Sequence, residues 1–222
     1  MPRLPRAVFP NIPHHITQRG NRREDVFFSD EDRLFYLELL QQYCKKYKVT
    51  VLAYCLMDNH VHLVLTPVTA DGLQKVLKPV HMRYAQYINE LKGWKGHLWQ
   101  GRFFSSALDD GYTCSTVRYV ERNPVQANMI DVAEDYRWSS AAYHCGLTSS
   151  KVLTPLPQVF KPVSSEAWSD WLALPESKGT IDLINRHIEK GLPCGSDDFI
   201  AQLERLAKRP LRFRSQGRPN KE

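Results

Sequence analysis

Alternation and periodicity of apolar positions lay out a series of elements over the first 125 residues. His14-His-Ile-Thr-Gln-Arg19 reads as a strand that breaks at Gly20-Asn21. Ser29-Asp-Glu-Asp32 opens a helix, with Ser29 as N-cap and Asp32 as its capping-box partner. Leu34, Leu37, Leu40, Tyr43, Cys44 and Tyr47 keep helical spacing through Lys48. Val49–Met57 is a second strand and His60–Thr66 a third; Asp58-Asn59 between them is short enough for an antiparallel hairpin. A second helix is expected from Asp71 to Leu91, with Leu73, Val76, Leu77, Val80, Tyr84, Tyr87 and Ile88 on its apolar side, and a fourth strand within 102–108.

The order β-α-β-β-α-β predicts a ferredoxin-like α+β fold, an antiparallel sheet with helices on one face. The third strand falls inside the sheet, and a helix after the fourth strand is left to lie against the opposite face. Asp109 to Pro124 reads as that helix. Its two leading acids suit the positive end of the dipole, and Pro124 disfavours helical geometry at Asn123, where the helix is expected to stop. Trp138–Tyr143 is expected as a further helix closing a domain over 1–146. Residues 147–164, rich in Ser, Thr and Pro, read as a linker. Residues 165–190 read as helical and Ser196 caps a last helix, so that 165–208 suggests a small helical DNA-binding appendage, helix-turn-helix-like, before a basic disordered tail over 209–222.

Strand side chains alternate, so His60 and His62 point the same way and can each give a lone pair to one divalent cation. An isolated His-x-His is more often a hydrogen-bonded pair on a wet sheet face; the later helix changes that. Tyr119 and Asn123 are four apart and share a helix face, which places a nucleophile and a third ligand one turn from each other. A phenol with its pKa near ~10 is a poor nucleophile at neutral pH. Mg2+ or Mn2+ on a phosphodiester oxygen would polarise phosphorus and offset the developing charge. Tyr119 would then attack in line and stay joined to the phosphate. That linkage keeps the ester's energy, so a free DNA hydroxyl can reverse it, and strand transfer is the expected endpoint. Tyr112, on the same face, is the rival nucleophile without an amide four residues on. Glu121 is offset and is not assigned to metal. His14, His15, His81, His97, His144 and His187 show no partner spacing and read as ordinary.

His60-Val-His62 followed by Tyr119-x-x-x-Asn123-Pro resembles the HUH endonucleases, and within them the single-tyrosine transposases of insertion sequences. Ile16-Thr-Gln-Arg-Gly-Asn-Arg-Arg-Glu24, Cys55-Leu-Met-Asp-Asn-His60, Gly96-His-Leu-Trp-Gln-Gly-Arg-Phe103 and Trp138-Ser-Ser140 are similar to the REP-associated branch. The resemblance covers roughly residues 5–145. It implies the same fold, a metal held by His60, His62 and Asn123, Tyr119 as nucleophile through a 5′-phosphotyrosine, and single-stranded or hairpin DNA with palindromic repeats as partner.

Charge placement agrees with a nucleic-acid partner. Residues 1–23 hold five arginines and no acid, and residues 205–222 hold seven Lys/Arg against Glu222, although the net charge of all 222 residues is only +6. Arg19, Arg22 and Arg23 after the first strand are candidate phosphate contacts. Trp99, Gln100 and Arg102 interleave an aromatic, an amide and a cation, as stacking on unpaired bases would need, with core packing of Trp99 equally open. In the tail Arg212, Arg214 and Arg218 are DNA-contact candidates; Gly217-Arg-Pro219 is like an AT-hook core, but Gln216 stands where that motif has arginine. Five cysteines without Cys-x-x-Cys spacing argue for reduced thiols. The lack of any long apolar run argues against a membrane span, and the expected location is cytoplasmic. The chain is expected as a monomer or homodimer. A non-catalytic ferredoxin-like nucleic-acid-binding protein and a small-phosphoester hydrolase are the rival readings, and a covalent protein–DNA adduct separates them from strand transfer.

Overall fold

The structure, a computed structural model, describes residues 6–157 and 164–213. Strands β1 (His14–Arg19), β2 (Val49–Met57), β3 (His60–Pro67) and β4 (Phe104–Ala107) form one antiparallel sheet in the order β2-β3-β1-β4. Helices α1 (Asp30–Tyr47) and α2 (Gly72–Lys92) make the two crossovers and pack side by side on one face. This is the expected α+β, ferredoxin-like arrangement. Its sidedness follows from β3, where Val61, Leu63 and Leu65 alternate with His60, His62 and Val64. The first set turns to α1 and α2; the second turns away.

The α1 capping box forms as expected: Asp32 N donates to Ser29 Oγ at 3.3 Å, and Ser29 N donates to the Asp32 carboxylate at 3.1 Å. The buried side of α1 is rotated from the expected one. Tyr36, Leu39, Leu40, Tyr43 and Cys44 are inside with Asp32 and Arg33, whereas Leu34 is exposed. The two charged residues tolerate burial because they have partners: Phe28 N and the Tyr87 hydroxyl donate to Asp32, and Arg33 pairs with Asp58.

Helix α3 (Asp110–Gln126) crosses the opposite face over β2 and β3. Asp109 caps it, one carboxylate oxygen accepting Tyr112 N at 2.8 Å while the other accepts Ser196 N at 2.8 Å. Pro124 does not end the helix, which runs two residues past it. Val120, Asn123 and Pro124 are all buried, and that packing outweighs the ~3 kcal/mol an interior proline costs.

Two other expectations give way at the sheet edges. Trp138-Ser-Ser140 is a turn with an isolated strand bridge rather than a helix: Ser139 bridges Cys55, Leu56 N donates to Trp138 O and Ser140 N to Tyr54 O, which covers the open edge of β2. Only α4 (Ala141–His144) follows as a helix. The segment expected as one helix over 165–190 is two, α5 (Ser165–Ala173) and α6 (Lys178–Lys190), parted at Leu174-Pro175. They do not stand apart as an appendage. Buried Trp168 of α5 meets α3, and α6 lies against β4 and β1 with Ile184 and Ile188 inside. The reason is that α3 covers only the β2 and β3 half of the sheet, so the β1 and β4 half is left for another amphipathic helix. The turn before α7 (Asp197–Ala207) is no helix-turn-helix joint either. Cys194 N donates to Ala107 O at 2.8 Å and so pairs the turn with the edge of β4. Even the expected linker is pinned, Thr154 N donating to Val51 O at 2.9 Å. All five cysteines are free thiols, and among the described residues no helix is long and apolar enough to cross a membrane.

Candidate active site

The hairpin strand and α3 bring the two sequence segments together. Across β1 and β3, Thr17 pairs with His62 and Arg19 with His60, so the histidine face continues onto β1 as His15, Thr17 and Arg19. The ring centroids of His60 and His62 are 4.9 Å apart. Tyr119 stands edge-on to His62 at 5.7 Å and edge-on to His15 at 5.8 Å. His60, His62, Tyr119, Asn123 and Arg19 line one cavity of about 550 Å³. Tyr112, the rival nucleophile, does not line it and sits at the start of α3 beside Asp109 and Cys194.

Hydrogen bonds set which histidine nitrogen is available. His60 Nδ1 is 2.6 Å from Asn59 Oδ1, and the Asn59 amide nitrogen donates to Arg23 O at 3.1 Å, so the amide is oriented. His60 therefore carries its proton on Nδ1 and keeps the Nε2 lone pair. His62 Nδ1 is 2.9 Å from His15 Nε2. If His62 is the donor, its Nε2 lone pair is likewise free; His15 then holds its proton on Nδ1, a buried atom with no hydrogen-bond partner. Burial lowers the pKa of His60 to about 4, with Arg19 adding to it, and pushes His62 well below the ordinary imidazole value. Both are neutral at physiological pH, as ligands must be. Among the described residues no three His, Cys, Asp or Glu side chains are grouped as metal ligands. Asn123 stands in the cavity wall; its nitrogen donates to Tyr119 O at 2.9 Å, which leaves its side-chain oxygen as an acceptor.

The phenol of Tyr119 is 4 % exposed, and its hydroxyl donates to Asn185 Oδ1 of α6 at 2.7 Å. Burial raises its pKa to about 12; Asn123 beside it and Arg19 pull the other way, while Glu176 adds to the rise. Glu176 is itself clasped by Arg118 at 3.9 Å and Arg122 at 3.5 Å. On the far side of α3, Glu121 is fully buried and accepts from Ser140, His144 and, at 2.8 Å, Trp168 Nε1. That network ties α3 to α4 and α5 and turns Glu121 away from the face that carries His60 and His62.

The proposed DNA contacts divide. Arg19 and Gln100 are exposed at the cavity, whereas Arg102, also exposed, lines other cavities. Arg22 and Arg23 are exposed on a turn where both adopt left-handed backbone, φ 53° and 65°, strain that a structural turn would relieve with glycine. Trp99 is no stacking platform: it is buried, and its indole donates to His81 O at 2.9 Å. Arg212 is clasped by Asp197 and Glu204 of α7, so its charge is already matched within the protein. Arg214 and Arg218 lie outside the described residues. Sequence spacing missed His15 and Asn185, because one reaches the site through strand register and the other from a helix 66 residues beyond Tyr119.

A ferredoxin-like sheet whose histidine strand faces a tyrosine helix defines the class of protein. The chain belongs to the IS200-like transposase family, whose profile it matches over residues 8–123. It is 23% identical over 111 residues to a Haemophilus influenzae protein named as a REP-associated tyrosine transposase, an alignment covering 45% of this chain and 63% of that relative. A solved structure of a REP-associated tyrosine transposase bound to a REP hairpin shares the fold, with a TM-score of 0.52 at 16% identity, over 71% of this chain and all of that one.

Proposed function

We propose that this protein nicks and rejoins single-stranded DNA at palindromic repeat hairpins, with Tyr119 as nucleophile and a 5′-phosphotyrosine as the covalent intermediate. One observation carries the reading: His60, His62, Asn123 and Tyr119 converge on a single cavity. His60 and His62 would hold a divalent ion through nitrogen and Asn123 through oxygen, a mixed set that suits Mn2+ better than Mg2+. Such an ion would polarise the phosphodiester and offset the charge that develops on it. Asn185 fixes the Tyr119 oxygen by accepting its proton in a hydrogen bond, and Arg19 at the rim meets the backbone phosphate. As Tyr119 Oη joins phosphorus it gives up that proton, and the 3′ oxygen leaves and takes one up. The phosphate stays on the tyrosine, so the free 3′-hydroxyl can return and no ester energy is lost to water. The hairpin substrate rests on the basic surface at Arg19, Arg22 and Arg23, and on the hairpin in the structurally similar protein.

The deep burial of Tyr119 alone would favour a binding-only role. The same experiment separates the two. Labelled repeat hairpins incubated with Mn2+ or Mg2+ and run on denaturing gels should give a covalent species with the wild type. Tyr119→Phe and the double variant His60→Ala, His62→Ala should give none. Undiminished cleavage by the double alanine variant would place the chemistry elsewhere.

A further inference from the structure

Sulfur lies among the nitrogens of the histidine face. In the antiparallel pairing of β2 with β3, Met57 stands opposite His60 and Cys55 opposite His62. Opposed residues share a sheet face with Cβ atoms ~4.5–5.5 Å apart, so these side chains form a two-by-two block beneath α3. Met57 is buried and lines the same cavity as His60 and His62. Cys55 is fully buried, and its thiol donates to Met57 Sδ at 3.5 Å. Burial, with Glu121 adding to it, pushes the Cys55 pKa well up. Cys55 therefore stays a thiol and holds the thioether in place, while the second lone pair on Met57 Sδ is left over.

Nothing in that donor set is anionic. Imidazole, thioether and the Asn123 amide are neutral, and Arg19 puts a cation on the rim. Among the described residues Glu189 is the one carboxylate in the cavity wall; it is exposed on α6 and not grouped with the two histidines. Repulsion from Arg19 falls by half when the ion carries one charge instead of two. A thioether beside two imidazoles is a soft set, and soft sulfur selects Cu(I) over hard divalent ions. Mg2+ or Mn2+ would draw on a phosphate oxygen to complete its shell and to supply negative charge. Before DNA arrives that oxygen is not there to be drawn on.

We infer that, in the absence of DNA, this site takes up one cuprous ion through His60, His62 and the Met57 sulfur, and that the ion shuts out Mn2+ or Mg2+ and silences the chemistry at Tyr119. Copper so held occupies the nitrogens that a divalent ion needs. It also has little affinity for phosphate oxygen, so it does not polarise the phosphodiester in their stead. No electron moves: the ion enters and leaves as Cu(I). The inference rests on the proposed metal site at His60 and His62, and copper binding is read without any cleavage.

The test uses the full chain under anaerobic conditions with ascorbate, and Cu(I) delivered as its coloured bicinchoninate complex. The wild type should withdraw a single equivalent of Cu(I), and X-ray absorption at the copper edge should show sulfur beside nitrogen. Met57→Leu conserves volume and should hardly alter Mn2+ affinity. It should weaken Cu(I) by at least about 100-fold, the upper end of what losing a partner behind a ligand costs. The double variant His60→Ala, His62→Ala should leave the colour with the chelator. Growth on selenomethionine gives a reading free of substitution, should Met57→Leu misfold: selenium scattering should replace sulfur scattering at the copper. In adduct assays with Mn2+ and a repeat hairpin, stoichiometric Cu(I) given first should suppress the covalent species, as a fraction of the copper-free yield, in the wild type but not in Met57→Leu. A wild type that takes no copper, copper kept by the double histidine variant, undiminished affinity in Met57→Leu, or sulfur that persists beside selenomethionine would overturn the inference. If adducts form with Mn2+ while copper ignores Met57, the copper site is wrong and the cleavage reading stands. If copper binds through Met57 but no divalent ion supports an adduct, the reverse holds.

Discussion

His15 Nε2 lies 2.9 Å from Nδ1 of His62, with both rings buried and nearly parallel. The contact decides which nitrogen of His62 keeps a free lone pair for the proposed metal. When His62 donates, His15 is left with an unmatched buried N–H, at a cost of about 1–3 kcal/mol. In the proposed metal site His15 is thus a positioning residue for His62.

His15→Ala should leave the fold intact and weaken Mn2+ binding about 10- to 100-fold, the usual effect of losing a hydrogen-bond partner behind a metal-binding histidine. His15→Gln, which keeps an acceptor, should recover part of the affinity. Calorimetric titration of Mn2+ reads both without any need for cleavage. Unchanged affinity in His15→Ala would mean that the pairing does not orient His62.

Tyr119→Phe removes one oxygen from a buried ring, so DNA and metal binding should persist while the covalent adduct disappears. Tyr112→Phe should retain the adduct, since that ring lies outside the cavity. Mass spectrometry of a nuclease-trimmed adduct should put a 5′-phosphate on Tyr119. An adduct that survives Tyr119→Phe would sink the assignment.

Much of this was legible from local pattern, and the failures have physical causes. The extents of β1, β2 and β3 agree closely with alternation, and Leu73, Val76, Leu77, Val80, Tyr84 and Ile88 of α2 are buried as their period required. On α1 the apolar count misled, because Asp32 and Arg33 are inside through partners that only the fold supplies. His15 looked ordinary for a similar reason. Its neighbour is set by the register of β1 on β3, and no spacing within either strand contains it. Asn185 reaches Tyr119 because the sheet face left bare by α3 had to be covered, a demand visible only once α3 has been laid on the sheet.

Removal of residues 205–222 was the natural cut from charge alone, but it would also remove buried Leu211 and the Arg212 clasp on α7. A cut after Phe213 separates the effects. It should leave the thermal midpoint unchanged while lowering DNA affinity and flattening its salt dependence, through loss of Arg214, Arg218 and Lys221. The longer cut should lower the midpoint as well. Equal affinity and slope after the shorter cut would show that those three cations make no phosphate contact.

Acid should destabilise the fold well above the carboxylate range. Burial lowers the pKa of His14 to about 4 and those of His15 and His81 to about 3, whereas the unfolded chain protonates them near ~6.5. Between those values the unfolded state binds more protons, so stability is full above pH ~6.5 and falls as the pH drops toward the folded values. At pH 5.5 the loss should be on the order of 1 kcal/mol per histidine. Urea midpoints measured from pH 7.5 to 5 should decline steadily, and His81→Gln should decline less steeply. A flat profile would show that the histidines titrate alike in both states.

The doubly bonded carboxylate of Asp109 ties two distant segments together. It holds the start of α3 and the start of α7, and Gly195 approaches so closely that a Cβ there would stand 2.8 Å from it. The stretch matched to the family, residues 8–123, contains one end of that clasp, and the other end lies beyond it. A change in the later segment therefore reaches back into the matched one. A recombination junction placed between them, though it would look harmless on an alignment, would hand on a tyrosine helix with half its mooring gone.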